Sequence, residues 1–169
     1  MALIVEDGSG VSAADSYIST ADADTYWAKF GSPSEWSNAS TAQKESALRH
    51  ATRWIDEQYA RRWAGVVTHS SQELRWPRSG VTDDEGRIID DTEIPRVLSE
   101  AVCQFAFLHL AGGGLSRVVS SGVQSESLEG VVSRTYFAPS GELKANEFGE
   151  YLLGSLLTTP HGVYWMQRG

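Results

Sequence analysis

Residues 40–59 read STAQKESALRHATRWIDEQY, and the periodicity of this stretch decides the fold class. Ser40 and Gln43 stand at the spacing of a capping box, in which two side chains satisfy the free backbone N–H groups of a helix start. Ala47, Leu48, Ala51, Trp54, Ile55 and Tyr59 then recur mostly at steps of three and four, the signature of one apolar stripe on a helix. Arg49, Arg53 and Asp56 lie off that stripe. The pattern predicts a helix that fades near Arg62 or Trp63, before Gly65.

Upstream, Ser19 or Thr20 is placed to cap a first helix, with Asp22 and Asp24 in its first turn, where the helix dipole favours negative charge. That helix runs to about Phe30 and stops at Gly31. Ser32–Ala39 reads as a loop, and residues 1–18 as an extended arm or short strand. Downstream, residues 66–94 read as a long connection, because Pro77, Gly80, Gly86 and an acidic run break any period. Connections of this length are usually functional or interfacial.

Pro95 has the position of a first helical residue. Val97, Leu98, Ala101, Val102, Phe105, Leu108 and Leu110 follow, a face wide enough for a central, buried helix that ends at Gly112–Gly114. Val131, Val132, Thr135, Tyr136 and Phe137 favour strand, so residues 118–137 predict a β-hairpin or ribbon. A short last helix is expected over 146–157. The fold class expected is mainly α: a small bundle of three to four helices, a short β-ribbon and extended terminal arms. One domain covers 1–157, and 158–169 is a C-terminal tail.

The chain has 169 residues, 14 Lys and Arg against 22 Asp and Glu, and net charge −8. At 41% hydrophobic it has the apolar mass for a core, which excludes disorder throughout. The acidic balance argues against a protein whose main task is to grip phosphates. The charge is uneven: net −5 over residues 1–43, +3 over 44–78 and −5 over 79–100. One basic, tryptophan-bearing stretch therefore lies between two acidic ones. No basic stretch precedes the apolar Met1–Val5, and Glu6 and Asp7 follow it at once, so no targeting leader is read here. The apolar run Ala101–Leu115 is too short and too polar for a membrane span. The expectation is a soluble protein made in a reducing cytosol.

Catalytic and metal chemistry find little support. Cys103, the single cysteine, falls in the apolar central helix, where a buried inert thiol is the expected state. The histidines, His50, His69, His109 and His161, belong to no nucleophile motif, and His109 reads as a residue at the edge of the core. Asp83-Asp84-Glu85-Gly86 invites a calcium reading. With Gly86 at loop position 6, however, Val81 falls at position 1 and Thr92 at position 12, so the calcium register fails at both ends. Gly112–Gly114 follows a helix instead of opening one, so it is not a phosphate loop. The reading is no enzyme, no cofactor and no metal.

The constellation that stands out is Arg61-Arg62-Trp63 with Leu74-Arg75-Trp76-Pro77-Arg78. Interleaved Arg and Trp can stack single-stranded bases and track a backbone. They can equally cover the core, with the arginines paired to Glu73, Asp83 or Asp84. They can also anchor a protein interface, where these two residue types are favoured.

Several ordered blocks carry a resemblance. They are Ala2–Gly8 continuing to Ala14–Ser19, then Ala21–Tyr26, Ala47–Asp56, Leu74–Asp83 and Ile94–Cys103. Across roughly residues 1–110 the chain resembles the phage and prophage proteins labelled DnaT-like single-stranded DNA-binding. That label implies a replication accessory that binds single strands through Arg61–Arg78. In size and helical layout such proteins also resemble the head–tail adaptors of long-tailed phages. This second likeness implies a virion structural protein: a connector subunit in a ring, typically of twelve, between the portal protein and a downstream tail or stopper protein. DNA would pass through the ring's channel without specific binding. The location would be the virion neck, assembled in the host's cytoplasm, with no membrane involved. The adaptor reading places subunit contacts on Arg61, Arg62, Trp63, Arg75, Trp76 and Arg78, and portal contacts on Tyr164 and Trp165 of the tail. The sequence favours the adaptor reading, because an acidic wall lets phosphates pass.

Overall fold

Ser19 caps helix α1 (Thr20–Lys29) as expected, its hydroxyl accepting from the Asp22 N–H at 3.1 Å. The computed structural model describes residues 2–112, 115, 126–128, 132–134 and 143–158. Residues 32–39, expected as a loop, contain the single-turn helix α2 (Ser34–Ser37). Its Trp36 is buried, and the indole N–H donates to Asp24 Oδ1 at 2.7 Å. Lys44 Nζ donates to the same oxygen at 2.7 Å. Asp24 is thus the joint between α1, α2 and the next helix, a role that its place in α1 does not announce. Burial works against the charge on Asp24, but Lys44 and Trp36 outweigh it and hold the carboxyl below its ordinary value.

Helix α3 (Thr41–Gln58) opens with both bonds of the predicted capping box. Ala47, Leu48, Ala51 and Ile55 form its buried stripe. It ends earlier than expected, because Arg62 N–H turns back onto the Tyr59 carbonyl at 2.8 Å. Helix α4 (Arg96–Leu110) is the central element and packs on both α3 and α5 (Leu143–Leu153). Pro95 is its N-cap, one position before the one expected. Leu98, Ala101, Val102, Cys103, Phe105 and Ala106 are all fully buried. Burial also pushes the Cys103 thiol up, away from the reactive thiolate. Gly149 lets α5 close onto α4: a Cβ there would stand 2.7 Å from the Phe105 ring. A 3-10 turn (Gly154–Leu156) follows α5.

Among the described residues there are five α-helices and two small antiparallel hairpins. Strands β1 (Val66–Val67) and β2 (Arg78–Ser79) pair with Val66 opposite Ser79 and Val67 opposite Arg78. They lie inside the segment 66–94, read from the sequence as a long connection. Strands β3 (Glu126–Leu128) and β4 (Val132–Arg134) realise part of the expected ribbon. The rest of 118–137 lies outside the described residues. No described helix is long and apolar enough to cross a membrane.

The N-terminal arm is built around an acid. Glu6 is 2% exposed. Its Oε1 accepts from the N–H groups of Gly8 (3.0 Å) and Gly10 (2.8 Å), and its Oε2 from that of Val11 (2.8 Å). Gly8 has φ +100, and a Cβ on it would stand 1.8 Å from the Thr92 carbonyl oxygen. The arm is therefore seated against the 66–94 connection at a position only glycine fits.

His109, on the last turn of α4, stacks on His50 of α3 with ring centroids 4.6 Å apart and planes at 22°. Burial, and then the neighbouring His50, hold the His109 imidazole below its ordinary 6.5. The unfolded chain then binds the proton more readily than the folded one. This contribution to stability is full above about pH 6.5 and is lost as pH falls through the folded value. Thermal melts at pH 7.5 and pH 5 should show a larger acid loss for the native chain than for His109→Gln. Equal losses would contradict this account of the pair.

Candidate functional site

Two segments singled out by sequence, 61–63 and 74–78, meet in space. Trp63 and Trp76 pack edge to face, with centroids 6.2 Å apart at 81°. Tyr59 continues the row, 6.1 Å from Trp63 at 69°. Ala64 N–H donates to the Leu156 carbonyl at 3.0 Å, and Thr158 N–H donates to that of Arg62 at 2.6 Å, so the end of α5 closes over this joint.

The tryptophans are not presented to any partner. Trp76 is 0% exposed and Trp63 6%, and the indole N–H of each is buried without a hydrogen-bond acceptor. Neither ring can stack a base or fill a pocket on a neighbour without unfolding the joint. Arg78 is also buried. Its Nε donates to the Ala64 carbonyl (2.6 Å), Nη2 to that of Gly65 (2.7 Å) and Nη1 to that of Arg75 (3.2 Å). The guanidinium thus ties the loop 74–78 to the turn after α3. Burial works against its charge and pulls its pKa down from the ordinary arginine value. These positions correct the expected interface: Trp63, Trp76 and Arg78 belong to the core.

What remains on the surface is a seam of three arginines. Arg61, Arg62 and Arg75 are exposed. Among the described residues none of the three forms an ion pair, whereas Lys44, Arg49, Arg53, Arg87 and Arg96 all do. Pairing of the arginines with Glu73, Asp83 or Asp84 is therefore not observed. Arg62 lies over the Tyr59 ring, 5.5 Å from its centroid, which steadies the head while leaving its donors outward.

Next to the seam, the outer face of α3 and the loop 67–75 enclose a groove of about 980 Å³. Arg49 and Arg53 on its wall are occupied, Arg49 Nε with Asp15 Oδ2 at 2.6 Å and Arg53 Nε with Glu57 Oε1 at 2.7 Å. Asp56 lies at the foot of the groove and is 8% exposed. Tyr17 Oη donates to its Oδ1 at 2.7 Å, Arg75 N–H donates to its Oδ2 at 2.9 Å, and Trp76 N–H donates to Tyr17 Oη at 3.1 Å. Burial pushes the Asp56 carboxyl up to about 6, against the opposing pull of the Tyr17 and Arg75 bonds and of the Arg75 and Arg78 charges. Sequence reading set Asp56 off the apolar stripe. A signal was available: Leu48, Thr52 and Asp56 follow one another at steps of four, and all three are buried.

The acidic turn spends its first carboxylate on itself. Asp83 Oδ1 accepts from the N–H groups of Glu85 and Arg87, and Oδ2 from Arg87 Nε at 2.8 Å. Among the described residues no group of three or more His, Cys, Asp or Glu is placed to hold a metal ion. Tyr164 and Trp165, expected to bind a portal, lie outside the described residues.

Fold and site together define a small, mainly helical protein with an open cationic seam on an acidic body. The sequence profile of the family described as "Putative DnaT-like ssDNA binding protein" matches residues 1–169, and the chain belongs to that family. Neither the curated proteins nor the solved structures gave a match.

Proposed function

We propose that the chain binds single-stranded DNA by its phosphates, along Arg61, Arg62 and Arg75. The observation that carries this reading is the seam itself: three exposed guanidinium groups with no ion-pair partner among the described residues. Family membership supports the same ligand. With Trp63 and Trp76 buried, the contact at this seam is electrostatic and carries no base stacking from them. Three phosphate contacts on a body of net charge −8 make for weak, sequence-independent binding, in the range of roughly 10⁻⁴ to 10⁻⁶ M. The proposal includes no catalytic step. Anisotropy titration of a labelled oligothymidylate at low salt tests it. Replacing all three arginines by alanine should weaken binding roughly tenfold or more. An unchanged affinity would remove the seam from the reading.

The head–tail adaptor is the second reading, and one observation favours it. Asp84, Asp91 and Glu93 are exposed and form no ion pair among the described residues, so an identical neighbour offers the same arginines an acidic partner. In this reading the chain is a neck subunit of a virion, closing a ring beneath the portal. Negative-stain images of the protein mixed with portal rings decide it. An added annulus supports the adaptor, and bare portal rings sink it.

A further inference from the structure

We propose that the groove between α3 and the loop 67–75 takes up the bases of the strand, with His50 and His69 as its stacking surfaces. The proposal rests on the phosphate-binding reading of the seam, which leaves the bases without a place.

Arg75 belongs to both features: its exposed guanidinium is one of the three in the seam, and the residue lines the groove. A strand whose phosphates lie on Arg61, Arg62 and Arg75 therefore passes the edge of the groove. The volume of about 980 Å³ has room for more than one base, since pockets of roughly 300–1,000 Å³ hold whole drug-sized ligands. The charges also suit bases better than phosphates. Arg49 is paired with Asp15 and Arg53 with Glu57, and the exposed Glu73 offsets Arg75. Asp56 already accepts on both oxygens, from Tyr17 Oη and from Arg75 N–H. The groove thus carries no net positive charge to hold a backbone, whereas the seam beside it does.

Two exposed imidazoles line the groove, one from each side. His50 comes from α3. His109 stacks on one face of its ring, with centroids 4.6 Å apart, and lies outside the groove, which leaves the other face for a base. His69 comes from the loop. Its ring rests against the N-terminal arm, where a Cβ on Gly10 would collide with it. The His69 backbone N–H donates to Gln72 Oε1 at 2.9 Å, and the Gln72 amide donates onward to the carbonyls of Leu74 (2.8 Å) and Pro77 (3.1 Å). Both rings are therefore held before a strand arrives, and a ring already held loses little freedom when a base stacks on it. Histidine is among the side chains on which unpaired bases stack, and stacking tolerates every base because each has a π-face.

Two labelled strands of equal length, oligothymidylate and its abasic analogue, offer the same phosphates with and without bases. Anisotropy titrations at pH 8, where an ordinary histidine is uncharged, compare them. The native chain should bind the abasic strand at least about fivefold more weakly, the worth of one stacked base. His50→Ala and His69→Ala should each lose about fivefold for oligothymidylate. Both should keep native affinity for the abasic strand, which also shows that the variants are folded. His50→Phe and His69→Phe retain a ring and should bind oligothymidylate as the native chain does. The salt slope should stay at its native value in every one of these variants, because stacking releases no counterions.

Equal affinity of the native chain for the two strands would overturn the proposal. Alanine variants that lose both strands alike, or phenylalanine variants no better than alanine, would overturn it as well. In each of these cases binding that still depends on Arg61, Arg62 and Arg75 keeps the phosphate reading. Native protein that binds neither strand sinks that reading and the base groove with it.

Discussion

Trp76→Ala should destabilise the chain by about 3–5 kcal/mol, the cost of emptying a fully buried aromatic site. For a chain of this size that lowers Tm by on the order of 10 °C. Trp76 is 0% exposed and packs edge to face on Trp63, under the loop whose N–H groups are fixed by Tyr17 and Asp56. The cavity would lie between α3, the 74–78 loop and the turn that Arg78 ties down, so none of the three can close it independently. Trp76→Phe should cost much less, about 1–2 kcal/mol, because it also removes a buried indole N–H that has no acceptor. Thermal melts followed by circular dichroism check both. A loss below about 1 kcal/mol for the alanine variant would show that the ring is not the support described.

Glu6→Ala should be nearly as costly, about 3–5 kcal/mol, for a different reason. It strands three backbone N–H groups that have no other acceptor in the arm, each bonded now to a charged oxygen. Glu6→Gln should cost about half as much. Its carbonyl oxygen keeps the two bonds made by Oε1, while its amide meets the Val11 N–H donor to donor. The arm seats against Thr92 and His69 through Gly8 and Gly10, so its release also loosens the 66–94 connection. Urea melts of the three chains should order native, glutamine, alanine. An alanine variant as stable as the native chain would mean that the arm is not held by this carboxylate.

The helices were legible because their signals are local. Ser40 and Gln43 form the box their spacing announces, and the apolar residues of α4 form the face they predict. The connection 66–94 was not legible, because β1 and β2 are two residues each, below the length at which alternation can be read. Helix α2 has a single turn and is held by Trp36, whose partner Asp24 lies one helix away. Burial divides the Arg–Trp stretch in a way composition cannot. Arg75 and Arg78 are three residues apart; one points to solvent and the other binds three carbonyls. Glu6 left one trace in the sequence, the glycines at 8 and 10, whose positive φ values turn successive N–H groups towards it. Asp56 was misplaced because its donors, Tyr17 and Arg75, come from segments with no sequence relation to α3.

The charge pattern also takes a sharper form. The basic stretch has net charge +3, yet Lys44, Arg49 and Arg53 are spent on carboxylates and Arg78 on carbonyls. The open charge therefore comes to Arg61, Arg62 and Arg75. The salt dependence of oligothymidylate binding tests this most directly. Three phosphate contacts predict that the logarithm of the affinity falls with the logarithm of salt concentration with a slope of about −2. Replacing each of the three arginines singly should reduce that slope by roughly 0.7. A slope near zero, or one unmoved by these substitutions, would contradict the seam as the DNA contact.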